Sequence, residues 1–164
     1  MSVVHIRHGM HSIRQPRGSN VCWAASVAMV MGRSATIATV RAQAAAAGVR
    51  INGNGSLPLG DAANVRRLAG AFRLRVADVR TTPVTLDSTV GWLRRGRFVM
   101  LGGFNFSGSM TAMDHAVTFY AAEGDGTQRH TRIFLADPIG GLFHDDFEHF
   151  EEAVMADPHF VLHR

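Results

Sequence analysis

The sequence predicts an α+β domain with a helical amino-terminal half packed on a carboxy-terminal antiparallel sheet. Three observations carry this. Residues 22–31 (CWAASVAMVM) are apolar almost without a break, as in a helix buried on nearly all sides. Further helix-like stretches, with capping residues before them and glycines after, follow as far as Arg95. From Phe98 onward, short apolar runs alternate with glycine-rich turns, the pattern of strands and hairpins. The 164 residues suit one domain spanning 1–164, with no repeat, low-complexity tract or linker to divide it.

Taken in order, residues 1–14 alternate loosely and predict a short extended arm. His5, His8 and His11 recur every third residue there, which in extended chain reads as surface histidines rather than a metal site. Pro16, Gly18, Ser19 and Asn20 form a turn, and Ser19 or Asn20 is placed to cap the helix that ends near Gly32. A second helix is predicted over Ser34–Ala47, a loop over 51–60 (INGNGSLPLG), and a third helix from Asp61 to about Phe72. Leu74–Arg80 reads as a strand and Thr85–Arg95 as a fourth helix.

Phe98–Leu101 reads as a buried strand broken by Gly102–Gly103, with a loop over Asn105–Met113. His115–Ala122, a turn at Gly124–Gly126 and Thr131–Ala136 form a hairpin. Pro138–Gly141 turns again, Asp145–Met155 reads as an acidic helix, and Phe160–His163 closes as a strand.

Composition narrows the function classes. Mean hydropathy of +0.04 and 46% hydrophobic residues describe a folded, non-membrane chain. The longest apolar run, Val21–Met31, is too short to span a bilayer. Arg7, Arg14 and Arg17 interrupt the first twenty residues, so no secretory signal is read; export would use a route that ignores such signals, or the chain is a mature fragment.

Charge is divided unevenly. Residues 1–113 hold 14 arginines against 3 acids, and residues 114–164 hold 3 against 10. The arginines are scattered, without regular aromatic interleaving, which reads as solvated helix faces and not as a nucleic-acid surface. All 17 basic residues are arginine. Codon usage explains this simply; a lysine-free chain would also escape ubiquitin-type tagging inside a foreign cell.

One cysteine, Cys22, excludes an internal disulfide framework and a cysteine zinc cluster. It falls where the turn becomes the helix. Unpaired backbone N–H groups and the positive end of the helix dipole stabilise a thiolate there, whereas a mid-helix thiol would be inert. Downstream, a turn centred on Gly126 would set His115 directly opposite Asp137 in the hairpin. Facing residues bring a carboxylate within reach of an imidazole, and a one-residue slip would send Asp137 to the other face. Taken singly, His115 also reads as a core histidine and Asp137 as a turn cap before Pro138. Asp114 is the other candidate partner, on the opposite face by strand alternation.

Gln15, Cys22-Trp-Ala-Ala25, Asp114-His115-Ala-Val117 and Ala136-Asp137-Pro138 together resemble the papain-like cysteine peptidases. The resemblance runs from Gln15 to Pro138, towards the compact bacterial branch of secreted effector proteases and peptidases that cut double-glycine leaders. It implies that Cys22 is the nucleophile, His115 the general base and acid, Asp137 its orienting group and Gln15 an oxyanion-hole donor. Gln15 stands seven residues before Cys22, where the family usually has six.

The implied function is hydrolysis of a peptide bond through an acyl-enzyme, on a protein or peptide substrate. It implies a monomer with no metal or organic cofactor, acting in a bacterial cytoplasm or delivered by a specialised secretion system into a target cell. Two rivals share the residues: a glutamine deamidase or peptidoglycan amidase, and a catalytically silent binding domain. Amidases of this order more often carry Asp-Cys-Ser-Gly, which is absent here.

Overall fold

The computed structural model describes residues 2–106, 110–153 and 160–164. The helix bearing Cys22, α1 (Cys22–Met31), is buried from Trp23 to Val30, as its uncharged sequence requires. Its N-cap is Val21, and no side chain caps it. Both expected caps are engaged elsewhere: the Ser19 hydroxyl donates to the Pro16 carbonyl at 2.6 Å, and the Asn20 amide reaches the Asn54 carbonyl at 3.4 Å.

Helix α2 (Ile37–Ala46) starts later than Ser34, because Thr36 and Thr39 close a reciprocal capping box. Asp61 caps α3 (Ala62–Ala71) as expected, accepting from the Asn64 N–H at 3.1 Å. Thr85 caps α4 (Leu86–Arg95) through Ser88 in the same manner.

The strands are β1 (Val4–Arg7), β2 (Arg75–Asp78), β3 (Phe98–Phe106), β4 (Met110–Gly124), β5 (Thr131–Asp137), β6 (Gly141–Asp146) and β7 (Phe160–His163). They form a seven-stranded antiparallel sheet in the order β2-β7-β3-β4-β5-β6. β1 pairs with β4 at Ala121–Gly124, beyond the reach of β3.

Three expectations are corrected. The glycines at 102–103 do not end β3; the ladder continues through a register shift between Gly102 and Phe104, as glycines at bulges allow. The loop expected over Asn105–Met113 is consequently strand at 105–106 and from 110, while 107–109 lie outside the described residues. In the tail, β6 pairs with β5 before a helix, α5 (Phe147–Ala153), starts at Phe147 rather than Asp145; Met155 lies outside the described residues. β6 borders the sheet, and only Gly141 of its residues is fully buried.

Strand alternation divides the core between the two faces of the sheet. Val99, Leu101, Phe160 and Leu162 pack with α1, α2 and α3. Phe98, Met100, Phe119 and Val161 pack with α4 and α5 on the other side. Phe119 stacks on Phe98 with ring centroids 4.7 Å apart and meets Phe150 edge-on at 5.1 Å. No helix among the described residues is long and apolar enough to cross a membrane.

Glycines at two positions separate the demands of the sheet from those of the helices. A Cβ on Gly124 would lie 2.5 Å from the Thr131 Cα and closer still to the His130 carbonyl, main chain where the turn enters the paired strand. Gly91, in the middle of α4, has open space around it. Gly124→Ala is expected to cost about 1–3 kcal/mol by overpacking, and Gly91→Ala to stabilise by about 0.4–1 kcal/mol. Denaturant unfolding of the two variants checks this; equal effects would contradict the hairpin geometry.

Candidate active site

Cys22 is the first residue of α1 and is partly exposed. It lines a cleft of about 330 Å³ together with Gln15, Trp23, Leu57, His115 and Ile139. The Trp23 indole N–H donates to the Gly55 carbonyl at 3.0 Å, with Gly55 at φ +88°. This bond docks the glycine-rich 51–60 loop against the helix start, so that Ser56, Leu57 and Leu59 wall the cleft. The sequence marked this segment only as a loop. Its role as a wall depends on a contact 32 residues away in the chain, which periodicity does not report.

His115 and Asp137 are 3% and 4% exposed, and the His115 Nε2 lies 2.9 Å from the Asp137 Oδ1. The contact is the expected one, but the register differs. The turn spans 125–130 rather than centring on Gly126, so Gly124 pairs with Thr131. Followed unbroken, that ladder would place Asp137 opposite Thr118, on the other face from His115. A bulge between Phe119 and Ala121 adds one residue to β4, and Thr118 pairs instead with Ala136. The next step sets Asp137 beside Val117, two residues from His115 on the same face. The pair is therefore diagonal rather than directly opposed, within reach of the long imidazole.

The cores record the same change of phase. Phe119 and Ala122, three apart, both face the α4–α5 side. Asp114 does not enter this description, since its side chain lies outside what the structure describes.

Asp137 also caps its turn, as its alternative reading required. Its Oδ1 accepts from the Ile139 N–H at 2.7 Å, and the Gly140 N–H adds a further bond. Burial raises the Asp137 pKa, but the hydrogen bond and charge of His115, with these N–H groups, hold it below the ordinary carboxyl value. For His115, burial is the largest single influence and lowers the pKa. The bonds to Asp137 and Cys22 and the charges of both outweigh it, leaving the imidazole raised to about 9. With Nε2 held by Asp137, Nδ1 is the nitrogen left for the sulfur.

Gln15 is brought to the same cleft by two contacts. Its backbone N–H donates to the Pro138 carbonyl at 2.9 Å, joining the segment before Cys22 to the turn after Asp137. Its side-chain Nε2 donates to the Ser19 carbonyl at 2.5 Å, while the buried Oε1 has no hydrogen-bond partner among the described residues. Between Gln15 and Cys22 the chain turns at Pro16–Ser19, which the Ser19 N–H closes on the Pro16 carbonyl at 3.1 Å. At the middle of α1, the Thr118 hydroxyl donates to the Ser26 carbonyl at 3.0 Å and holds the helix against β4.

The histidines of the arm do not converge on this cleft. His5 and His11 are exposed, and the His8 Nε2 lies 2.6 Å from the Leu93 carbonyl. Asp145, Asp146 and His149 cluster on the surface far along the chain, with His149 on Asp145 at 3.1 Å.

The titration of the pair gives a direct check. A His115 pKa above its unfolded value of 6.5 contributes stability that is full below about 6.5 and lost as pH rises through about 9. Asp137, held low, contributes above its unfolded value of 3.8 and loses that contribution as pH falls further. Melting temperature against pH is expected to drop more steeply between 6.5 and 9 in wild type than in His115→Gln. By NMR, the His115 ring is expected to titrate lower in Cys22→Ala; an unchanged titration would mean that the sulfur does not act on it.

No protein-family model matches this chain, and neither does any curated protein. Solved structures do. One is described as the crystal structure of a double glycine motif protease from an AMS/PCAT transporter in complex with the leader peptide. It is 20% identical, with a TM-score of 0.57 over 99% of this chain and 96% of that chain. With its cysteine at a helix start and its histidine on the facing antiparallel sheet, this chain has the papain-like cysteine-peptidase fold.

Proposed function

We propose that residues 1–164 form one thiol hydrolase domain, a cysteine peptidase acting on a protein or peptide substrate. The observation that carries the reading is the meeting, in one open cleft, of a helix-start thiol with a buried imidazole held by a carboxylate at 2.9 Å. The raised pKa of His115 favours an imidazolium beside the Cys22 sulfur at neutral pH.

In the proposed cycle the Cys22 sulfur attacks the substrate carbonyl, forming the C–S bond and a tetrahedral oxyanion. As first residue of the helix, Cys22 has a backbone N–H without an intrahelical acceptor, and this N–H supports the oxyanion. Gln15 is the second donor, through the Nε2 hydrogen not given to Ser19. The imidazolium Nδ1–H protonates the departing amine as the C–N bond breaks. Nδ1 then takes a proton from water, whose oxygen displaces the sulfur, and the acid is released.

Asp137 keeps the ring oriented and supports its charge throughout. The cycle needs no metal or organic cofactor, and one copy of the chain supplies every group. The leader peptide bound to the structural neighbour supports a peptide substrate here. Action in a bacterial cytoplasm, or in a target cell after specialised secretion, fits the lysine-free composition and is part of the proposal.

The test is cleavage of a peptide library, with products read by mass spectrometry. Cys22→Ala and His115→Ala are expected to lower kcat/KM by about 10³-fold or more while remaining folded. Asp137→Asn is expected to retain part of the activity, and Asp137→Ala less, because the amide still aligns the ring. Full activity in Asp137→Ala together with loss in Asp114→Ala would move the orienting role to Asp114. Wild type without turnover on any peptide, but binding some of them as tightly as Cys22→Ala does, would establish the silent binding domain instead.

A further inference from the structure

At the opposite end of α1 from Cys22, about 15 Å along its axis, lies a second and larger pocket of about 630 Å³. Arg33, Arg95, Arg97 and Arg164 line it together with His8 and His11, and no acidic side chain lines it among the described residues. The four arginines come from three parts of the chain, with Arg95 and Arg97 flanking Gly96. Arg33 follows α1, Arg95 ends α4, Arg97 precedes β3, and Arg164 follows β7.

Arg97 forms the floor. It is partly buried, and its guanidinium donates to the Gly9 carbonyl at 2.5 Å and to the Val30 carbonyl at 3.4 Å. Burial is the main cause that depresses its pKa, and the charge of Arg164 adds to it. Gly96, at φ +141°, leaves the space in which Arg164 lies: a Cβ there would sit 3.2 Å from the Arg164 Cδ.

Part of this charge has a plain structural use. The carboxy-terminal ends of α1 and α4 both face the pocket, and each helix end is worth roughly half a negative charge. Set against four guanidiniums, the two ends leave an excess of about three positive charges. A carboxylate at Arg164 would still leave about two.

Geometry narrows the ligand. Several guanidiniums converging on one concavity match closely spaced, multiply charged oxyanions, each able to take forked N–H bonds. A duplex would require a stripe rather than a hollow. Single-stranded nucleic acid would favour large aromatic platforms, and no Phe, Tyr or Trp lines the pocket among the described residues. We propose that this pocket binds a small oligophosphate, at a site separate from the Cys22 cleft.

The probe is inorganic tripolyphosphate, titrated into the full chain by calorimetry at low and at moderate salt. One saturable site is expected, weakened by salt. The Arg33→Gln/Arg164→Gln variant is expected to raise Kd by at least about tenfold, as loss of charge-assisted bonds implies. Alkylation of Cys22 should proceed in that variant as in wild type, which shows it to be folded. Should it not fold, Arg33→Gln/Arg95→Gln provides the same test.

ATP distinguishes the source of the phosphates. Binding tighter than tripolyphosphate assigns a nucleotide, and equal binding assigns the phosphate chain alone. The proposal is overturned if no saturable binding occurs, if the variant binds as tightly as wild type, or if a short DNA duplex binds more tightly at equal salt.

Discussion

The buried contact between His115 and Asp137 is where the two halves of the proposed site are joined, and it depends on strand phase. Side chains on a strand alternate with a period of two, so one residue more or less in β4 decides which face His115 shares with Asp137. The extra residue at the bulge between Phe119 and Ala121 supplies the correct phase. Breaking such a pair by removing one partner leaves an uncompensated buried charge, at a cost of about 3–5 kcal/mol. Here the Ile139 and Gly140 N–H groups share the load on Asp137, so the carboxylate is held by its own turn as well as by the histidine.

The second constraint is α1, which belongs to the core and to the site together. From Trp23 to Val30 it is buried, and Thr118 ties its middle to β4. Its first residue is left at the surface of a cleft walled by the 51–60 loop. The core therefore fixes where the thiol stands. Trp23 does the same for the loop, through one hydrogen bond to Gly55. The backbone bond from Gln15 to Pro138 then brings the approach to Cys22 onto the turn that carries Asp137.

Much of this was legible in the sequence, and the failures have physical causes. The nearly unbroken apolar run after Cys22, the cap at Asp61 and the strands at Phe98 and Phe160 follow from local pattern, and the structure has them. A turn centred on Gly126 predicts the pairing of His115 with Asp137, through a register the structure replaces. The longer turn and the bulge together displace the pairing by an even number of residues, so the face is preserved although the partner is not. Bulges leave no composition signal at Tyr120. The missing cap at Ser19, the wall formed by Leu57 and the second pocket at Arg97 all arise from long-range contacts, which a linear pattern does not encode.

The central claim is that this fold makes the Cys22 sulfur reactive by setting it beside a charged, carboxylate-held imidazole. The most direct measurement is the rate at which a peptidyl epoxide labels Cys22 at pH 7, located by mass spectrometry, in folded wild type, in urea-unfolded wild type and in folded His115→Ala. The account requires folded wild type to react many times faster than the other two. Equal rates in all three would contradict it.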